Sequence, residues 1–171
     1  MISIVKAYEN DVELLAGIAR ISFIESHGHS AGAGDINTYL KEQYSDAAFK
    51  EDLNNADNIY HFIYHDGHAA GFSKIVMNCP YAGAEVNNIT KMERLYLLKA
   101  FYNLKLGWEL LRHNIELAKR NGQAGMWLYV WKENERAVNF YTRAGFRITG
   151  SHDFQISPAH ANPNHRMLLG F

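Results

Sequence analysis

The chain is predicted to fold as a mixed α/β domain, in which helices alternate with the strands of a central sheet. Apolar residues recur with a period of two in some stretches and at helical spacing in others. Asp66-Gly67 stands between two apolar runs, which indicates a β-hairpin, because a type I′ turn needs positive φ at both central positions. Strands in mixed order with helices between them predict a mixed sheet. The 171 residues suffice for one domain, 1–171.

Composition and charge exclude several classes of protein. Hydrophobic residues make up 47% and charged residues 20%, which excludes a disordered or fibrous chain. The formal net charge of -1 argues against nucleic acid as the main partner. No stretch approaches the ~18 apolar residues of a membrane span, and no signal-peptide pattern is present. We therefore expect a soluble, cytoplasmic protein with neither a nucleic-acid nor a membrane partner.

The N-terminal half contains predicted strands with apolar alternation and helices with apolar positions three or four residues apart. Asp11 is expected to cap the first helix, and a glycine-rich stretch after it is expected to be a flexible loop. In order, the predicted elements are a strand at 2–7, a helix from Asp11 to about Ile24, a loop at 25–35, one or two short helices within 35–54, and strands at Ile59–Tyr64 and Ala69–Met77.

The C-terminal half adds two longer helices with clear end signals. Cations and Gly122 favour a helix end after Arg120, whereas Asn134 and Gly145 are expected to cap and stop the last helix. The predicted elements are a strand at Met92–Leu98, a helix at Leu106–Arg120, a buried strand at Met126–Val130, the helix from Asn134 to Gly145, and closing strands at Phe146–Thr149 and His165–Leu169 joined by a polar loop.

The stretch from Lys91 to Phe146 carries the strongest indication of chemistry. A helix that starts directly after a strand and a tight loop presents unpaired N–H groups and a positive dipole end, which favour an anion. Tyr141 lies on the following helix, where it could face the same cleft. This combination predicts a phosphate-bearing cofactor with a proton donor near its reactive end.

Two motifs in this stretch resemble the GCN5-related N-acetyltransferase (GNAT) superfamily. The family signature Asn-x-x-Ala-x-x-Phe-Tyr-x-x-x-Gly-Phe is matched throughout by Asn134, Ala137, Phe140, Tyr141, Gly145 and Phe146. The family's cofactor loop, Gln/Arg-x-x-Gly-x-Gly/Ala, corresponds to Tyr102-Asn103-Leu104-Lys105-Leu106-Gly107. Only the last glycine fits, because Tyr102 replaces Gln or Arg and Lys105 replaces the first glycine. The N-terminal half, with SFIESHGHS, also resembles the spermine/spermidine acetyltransferase branch.

The resemblance implies a more specific fold and a cofactor. It implies a mostly antiparallel central sheet of about six or seven strands, with helices on both faces and a splayed central parallel pair. It also implies acetyl-CoA as cosubstrate, and the edges of such a sheet are compatible with a homodimer. His27 and His29 form a His-x-His pair without a third ligand at recognisable spacing, so no metal is expected.

By resemblance, three groups of backbone and side-chain atoms bind acetyl-CoA. The backbone of the strand matching the family's splayed strand pairs with the pantetheine arm, and N–H groups of the loop hold the diphosphate. An N–H near Leu97 polarises the thioester carbonyl. Asn134 is expected to cap its helix and to bind the pantetheine amide. The cofactor-binding residues predicted in this way are Leu95, Tyr96, Leu97, Tyr102, Asn103, Leu104, Lys105, Leu106, Gly107 and Asn134.

By resemblance, Tyr141 donates a proton to the leaving thiolate, and Glu93 is the candidate general base, acting through water. A phenol remains protonated at neutral pH, which suits an acid. Glu25, His27 and His29 lie in a segment that borders the acceptor site in this fold, where they could bind a cationic amine or relay its proton.

The implied reaction is direct transfer of the acetyl group to a primary amine of a small molecule, with a polyamine as one candidate. Two alternatives stay open. One is an enzyme that acetylates a protein or peptide, which would need an open groove. The other is a non-catalytic acyl-CoA-binding module, an alternative kept open by the altered loop at Tyr102 and Lys105.

Overall fold

The computed structural model describes residues 1–171 and contains seven β-strands and five α-helices. The strands are β1 Ile2–Lys6, β2 Asn58–His65, β3 His68–Val76, β4 Thr90–Leu97, β5 Gly125–Trp131, β6 Arg147–Ser157 and β7 His160–Gly170. The helices are α1 Val12–His27, α2 Ala33–Gln43, α3 Asp46–Leu53, α4 Leu106–Arg120 and α5 Glu135–Arg143, with 3-10 turns at Glu9–Asp11 and Lys99–Phe101.

The strands form one sheet in the order β1-β2-β3-β4-β5-β7-β6. β1 pairs with β2, and β7 with both β5 and β6, in antiparallel fashion. β4 and β5 are parallel, with Thr90 opposite Met126 and Lys91 opposite Trp127. The sheet thus confirms the predicted fold class, including the central parallel pair.

The chain forms two compact units, of which the first comprises Met1–Ile75 and Arg94–Asn114. Within it, the Tyr60 ring of β2 contacts Phe49 of α3 at 6.0 Å, whereas the next residue, His61, contacts His113 of α4 at 4.6 Å. Successive residues of a strand point to opposite faces of the sheet. α3 and α4 therefore lie on opposite faces, which confirms the prediction of helices on both.

Each face of this unit has its own apolar packing. On the α4 face, Ile63 and Ala70 are buried with Leu106 and Leu110, and Leu95 and Leu97 of β4 pack against them. The other face carries a chain of aromatic rings in mutual contact, formed by Phe23, Tyr39, Tyr44, Phe49, Tyr60, Phe72 and Tyr96. β4 thus contributes side chains to both faces.

The hairpin between β2 and β3 has the turn that its sequence predicts. Asp66 and Gly67 have φ values of 48° and 80°, both positive as a type I′ turn requires. Asp11, in contrast, does not cap α1 with its side chain. Its carboxylate accepts a hydrogen bond from the Tyr8 N–H at 2.8 Å and closes the 3-10 turn that precedes the helix.

The second unit comprises Val76–Glu93 and Ile115–Phe171. In it, β5 supplies the buried side chains of Met126 and Leu128. α5 ends as predicted: Gly145 has a φ of +96°, and the N–H of Phe146 bonds to the carbonyl of Tyr141 at 3.0 Å. This left-handed end returns the chain directly into β6.

The predicted flexible loop at 25–35 was wrong at both ends. α1 continues to His27 and α2 begins at Ala33, which leaves only residues 28–32 outside the helices. The His27 ring stacks on the Phe23 ring one turn earlier, with centroids 5.1 Å apart. This i,i+4 contact extends α1 in spite of the glycines that follow it.

The predicted closing strands at Phe146–Thr149 and His165–Leu169 were too short. β6 and β7 are 11 residues each, and the segment expected to be a loop pairs within the hairpin, for example Phe154 with Asn162. β6 lies at the sheet edge, and most of its side chains are exposed. An exposed edge strand lacks the apolar alternation by which strands are recognised in sequence.

Candidate active site

The predicted diphosphate loop presents a run of unpaired backbone donors. After the 3-10 turn at Lys99–Phe101, the N–H groups of residues 103–107 donate to no backbone acceptor. α4 begins within this run, at Leu106, so that its positive dipole end adds to the same region. Adjacent free N–H groups at a helix start are suited to bind phosphate oxygens.

Lys105, which stands where the family motif has its first glycine, has a left-handed backbone conformation. Its φ is +61°, in the left-handed region that costs a non-glycine residue roughly 1–2 kcal/mol. The Lys105 carbonyl accepts hydrogen bonds from the N–H groups of Trp108 at 3.0 Å and Glu109 at 3.2 Å, and so starts α4. The lysine at this position is therefore compatible with the start of α4 and adds a cation to the loop.

The predicted pantetheine strand has its side chains engaged in packing. Leu95 and Leu97 pack against the core on the α4 face, whereas the Tyr96 ring contacts Phe72 and His27, each at 5.9 Å. The backbone of this strand, rather than its side chains, is therefore available to bind a cofactor, as the resemblance implied.

The predicted acceptor-binding residues lie at the C-terminal end of α1. A carboxylate oxygen of Glu25 accepts a hydrogen bond from the Lys99 N–H at 2.7 Å, which ties this end of α1 to the turn after β4. The His27 ring lies edge-on to Tyr96 of the same strand. His29 is exposed in the turn that follows α1. The structure thus brings Glu25 and His27 to the end of β4.

His27 is uncharged at neutral pH. Burial, and to a lesser extent the electrostatic effect of the nearby His29, lower the pKa of its imidazole from 6.5 to about 4. A general base works best with a pKa near the operating pH, so this imidazole is poorly suited to that task. As a neutral ring, however, it does not repel an ammonium group.

In the second unit, Tyr141 combines a buried ring with a protonated hydroxyl. The ring packs edge-on against Phe140 at 5.1 Å and Phe146 at 5.6 Å, and the residue is 8% exposed. Burial raises the pKa of the phenol above its ordinary value of 10.0. Tyr141 therefore retains its proton throughout the neutral range, as a general acid must.

Asn134 and Glu93, also in the second unit, are both in contact with other groups. The Asn134 side-chain oxygen accepts from the Ala137 N–H at 3.2 Å, which confirms the predicted cap of α5 and leaves its amide N–H donors out of that bond. The Glu93 carboxylate is 3.6 Å from the ammonium group of Lys91. That ammonium group lies 5.4 Å from the centre of the Trp127 ring.

Sequence reasoning missed the two cations of β4. Lys91 stands beside the candidate base, and the Arg94 guanidinium lies 4.6 Å from the centre of the Tyr44 ring in the aromatic cluster of the first unit. Lys91 and Glu93 are two residues apart, a spacing at which a strand places both side chains on one face. This spacing could have indicated their contact.

The structure contains no group of three or more His, Cys, Asp or Glu residues placed to hold a metal ion. None of its helices combines the length and apolar character that crossing a membrane demands.

Comparison with known proteins identifies relatives over most of the chain. Residues 29–146 match the model of the acetyltransferase (GNAT) family. An uncharacterized N-acetyltransferase from Lactobacillus delbrueckii subsp. lactis is 26% identical over 155 residues, covering 91% of this chain and 90% of the relative. A spermidine N(1)-acetyltransferase from Thermoplasma acidophilum is 25% identical over 159 residues, covering 90% and 94%.

Solved structures share the fold. A PaiA N-acetyltransferase from Thermoplasma acidophilum in complex with coenzyme A superimposes with a TM-score of 0.81 at 23% identity, covering 100% of this chain and 99% of that one. The ribosomal-protein-S18-alanine N-acetyltransferase from Escherichia coli gives a TM-score of 0.74 at 17% identity, covering 99% and 94%. With its family match over residues 29–146, the chain belongs to the GNAT family and is an acetyl-CoA-dependent N-acetyltransferase.

Proposed function

We propose that the chain transfers the acetyl group of acetyl-CoA to a primary amine of a small molecule, with Tyr141 as the general acid. The buried, protonated hydroxyl of Tyr141 carries this proposal. Tyr141 lies on α5, which Asn134 caps and Gly145 ends. The segment from Asn134 to Phe146 matches the family signature at every defined position.

The reaction begins with attack of the neutral amine nitrogen on the thioester carbonyl carbon. The carbonyl electrons move to oxygen, where a backbone N–H near Leu97 stabilises the charge, as the family resemblance implies. When the intermediate collapses, the carbon–sulfur bond breaks and the thiolate takes the Tyr141 proton. The nitrogen loses its extra proton to a base, and the products are the N-acetyl amine and CoA.

Glu93 is the proposed base, acting through a water molecule. The Lys91 ammonium group, 3.6 Å away, fixes the position of the carboxylate. Lys91 itself is positioned over the Trp127 and Tyr129 rings, at 5.4 and 5.9 Å from their centres. A carboxylate fixed in this way can accept a proton from a bound water without first reorganising.

Glu25, His27 and His29 are the proposed acceptor-binding residues. Glu25 supplies a carboxylate and His27 a neutral imidazole at the end of α1, where the carbonyl groups carry partial negative charge. These features favour an ammonium group or amine. The relative described as a spermidine N(1)-acetyltransferase makes a polyamine the first acceptor to test.

An acceptor screen tests the proposed substrate class. Release of CoA thiol would be measured with acetyl-CoA and a panel of spermidine, spermine, aromatic monoamines, and peptides with a free N-terminus. We expect at least one small amine to raise thiol release more than about 100-fold above hydrolysis, a threshold well below typical enzymatic accelerations. Turnover with peptides alone would refute the small-molecule assignment. Calorimetric binding of acetyl-CoA without thiol release for any acceptor would indicate a non-catalytic module.

Lys105 is expected to contribute to acetyl-CoA affinity through its charge. Lys105→Ala should raise the Kd of acetyl-CoA about tenfold at low salt, the loss of one charge-assisted contact, and by less at high salt. Lys105→Gly should weaken binding similarly but raise the Tm, because glycine adopts the φ of +61° without strain. Calorimetry and thermal unfolding would measure both effects.

The neighbouring exposed lysine provides a matched control for this experiment. Lys99→Ala removes a cation six residues earlier, while the Lys99 N–H that binds Glu25 is retained. We expect the Kd of acetyl-CoA for Lys99→Ala to stay within twofold of that for the unmodified protein. Equal losses of acetyl-CoA affinity in the two alanine variants would mean that only the general charge of the surface matters. No loss of affinity in either variant would remove Lys105 from the site.

A further inference from the structure

We propose that Trp108 is the binding platform for the adenine base of acetyl-CoA, with the indole stacked on the face of the purine. The proposal goes beyond the function proposed above, because it concerns the nucleotide end of the cosubstrate and depends on neither the amine nor Tyr141. It adds an aromatic contact to a loop that offers backbone N–H groups and the Lys105 cation.

Trp108 stands at the start of α4, directly after the run of unpaired backbone donors. The N–H groups of residues 103–107 donate to no backbone acceptor, whereas the Trp108 N–H donates to the Lys105 carbonyl at 3.0 Å. The α-carbon of Trp108 therefore lies within one helical turn, about 5.4 Å, of the donors at Leu106 and Gly107. A diphosphate bound by these N–H groups would lie beside the first turn of α4.

The indole projects toward these donors from the exposed side of the helix. Leu106 and Leu110 are fully buried and mark the face of α4 that packs on the sheet. At about 100° per residue, Trp108 lies about 200° around the helix from Leu106, away from that face. Cα–Cβ bonds in an α-helix tilt toward its N-terminus, so a long side chain covers the turn before its own α-carbon. The Trp108 ring therefore covers the first turn of α4, next to the predicted diphosphate position.

Exposure distinguishes Trp108 from the other two tryptophans of the chain. Trp127 and Trp131 are 4% and 6% exposed, whereas Trp108 is 42% exposed. Leu104, within the run of donors, is also exposed, at 44%. Two large apolar side chains thus reach solvent close to groups suited to bind phosphate. An exposed aromatic ring in this position is suited to a ligand that carries both a phosphate and an aromatic ring.

The nucleotide of acetyl-CoA has this combination of groups. A single ribose joins its adenine to its diphosphate, so a diphosphate bound at the start of α4 leaves the base close to the same helical turn. A purine presents a flat π-face on which an indole can stack. The predicted consequence is selectivity, because Trp108 would favour acetyl-CoA over an acetylated pantetheine that lacks the nucleotide.

Fluorescence of the unmodified protein tests the stacking without any amine. Because Trp108 is the exposed tryptophan, we expect saturating acetyl-CoA to quench the emission and to protect it from acrylamide. S-acetyl-4′-phosphopantetheine, which lacks the adenosine, should do neither, and Trp108→Phe should lose the response to acetyl-CoA. Equal responses to the two ligands, or binding of acetyl-CoA by calorimetry without a change in emission, would overturn the proposal.

Calorimetry with the same two ligands separates a base contact from a structural role. Trp108→Ala should raise the Kd of acetyl-CoA about tenfold, within the range of base–aromatic stacking, and leave the Kd of S-acetyl-4′-phosphopantetheine within twofold. Trp108→Phe keeps an aromatic ring, so its Kd for acetyl-CoA should stay within about threefold of that for the unmodified protein. Equal losses of affinity for the two ligands in Trp108→Ala would indicate a displaced loop and refute the adenine contact.

Ile21→Ala is the matched control for the loss of an exposed apolar side chain. Ile21 lies on α1 in the same compact unit and is 52% exposed. The Kd of acetyl-CoA for Ile21→Ala should stay within twofold of that for the unmodified protein. An increase as large as that in Trp108→Ala would refute a specific role of the indole.

The outcomes separate this proposal from the proposed function. If Trp108→Ala binds acetyl-CoA as tightly as the unmodified protein does, the adenine contact is refuted, while the acceptor class and the role of Tyr141 are unaffected. If no amine is acetylated, the proposed function fails, whereas the binding measurements still decide the role of Trp108 because they require no acceptor.

Discussion

Tyr141→Phe is expected to lower the kcat of acetyl transfer by about 100-fold or more, the usual contribution of a general acid. The Kd of acetyl-CoA should stay within twofold, because the substitution removes only the hydroxyl. The ring contacts with Phe140 and Phe146 are preserved in the variant, so the fold is retained. Without the phenol, the thiolate must leave unprotonated or take its proton from water.

The raised pKa of Tyr141 also sets the expected pH dependence of kcat, whereas the kcat of Tyr141→Phe distinguishes an acid from simple packing. An acid is effective only while protonated, and burial raises the pKa of Tyr141 above 10.0. The protonated form therefore persists across the accessible range, and kcat should show no alkaline decline due to this group below about pH 10. Tyr64→Phe, on β2, is the matched control and should leave kcat unchanged. An unchanged kcat in Tyr141→Phe at every pH would remove Tyr141 from the mechanism.

The parts of the site built from local rules were predictable from the sequence. Asn134 caps α5 and Gly145 ends it because side-chain capping and left-handed φ depend on only a few neighbouring residues. The hairpin at Asp66-Gly67 was predictable for the same reason. Four of the five α-helices and most strands also lie close to their predicted positions, since each buries an apolar stripe.

The end of α1 and the length of β6 and β7 depend on contacts that are not visible locally. His27 remains helical through its stacking on Phe23, although the glycines after it indicated a loop. β6 is stabilised by its pairing with β7, and its exposed side chains show no apolar pattern.

Lys105 holds a left-handed backbone conformation at a position where the family motif has glycine. In the sequence, a lysine in place of a glycine put the loop conformation in question. The structure has a φ of +61° at this position, and Asn103 also has a positive φ, of 67°. The hydrogen bonds that start α4 over-determine this conformation, so that a modest backbone cost is tolerated.

Gly71→Ala is expected to lower the free energy of unfolding by about 3 kcal/mol, the upper range for overpacking in a core. A Cβ at Gly71 would lie 2.2 Å from the carbonyl oxygen of Tyr96 and 2.9 Å from the Cα of Leu97. Both are backbone atoms, so no side-chain rotation relieves the overlap. β3 and β4 would have to separate at this point.

Gly17→Ala is the matched control for this substitution. Gly17 lies within α1, and a Cβ there would meet no atom within 4 Å. Alanine should therefore stabilise the helix by about 0.5–1 kcal/mol, the difference in helix propensity. Urea unfolding of the two variants at neutral pH would measure the free energy of unfolding, which should fall in Gly71→Ala and rise in Gly17→Ala. Similar stabilities would contradict the close approach of β3 and β4.

Gly71→Ala also tests whether the backbone of β4 binds the cofactor. If the backbone of Tyr96 and Leu97 pairs with pantetheine, displacing it should weaken acetyl-CoA binding about tenfold in the folded variant. The reason is that the displaced N–H groups no longer lie at hydrogen-bonding distance from the cofactor. Gly17→Ala should bind normally. A Gly71→Ala protein that is destabilised yet binds acetyl-CoA with unchanged affinity would place the pantetheine contacts away from this segment, since the strand cannot move and keep the same hydrogen bonds.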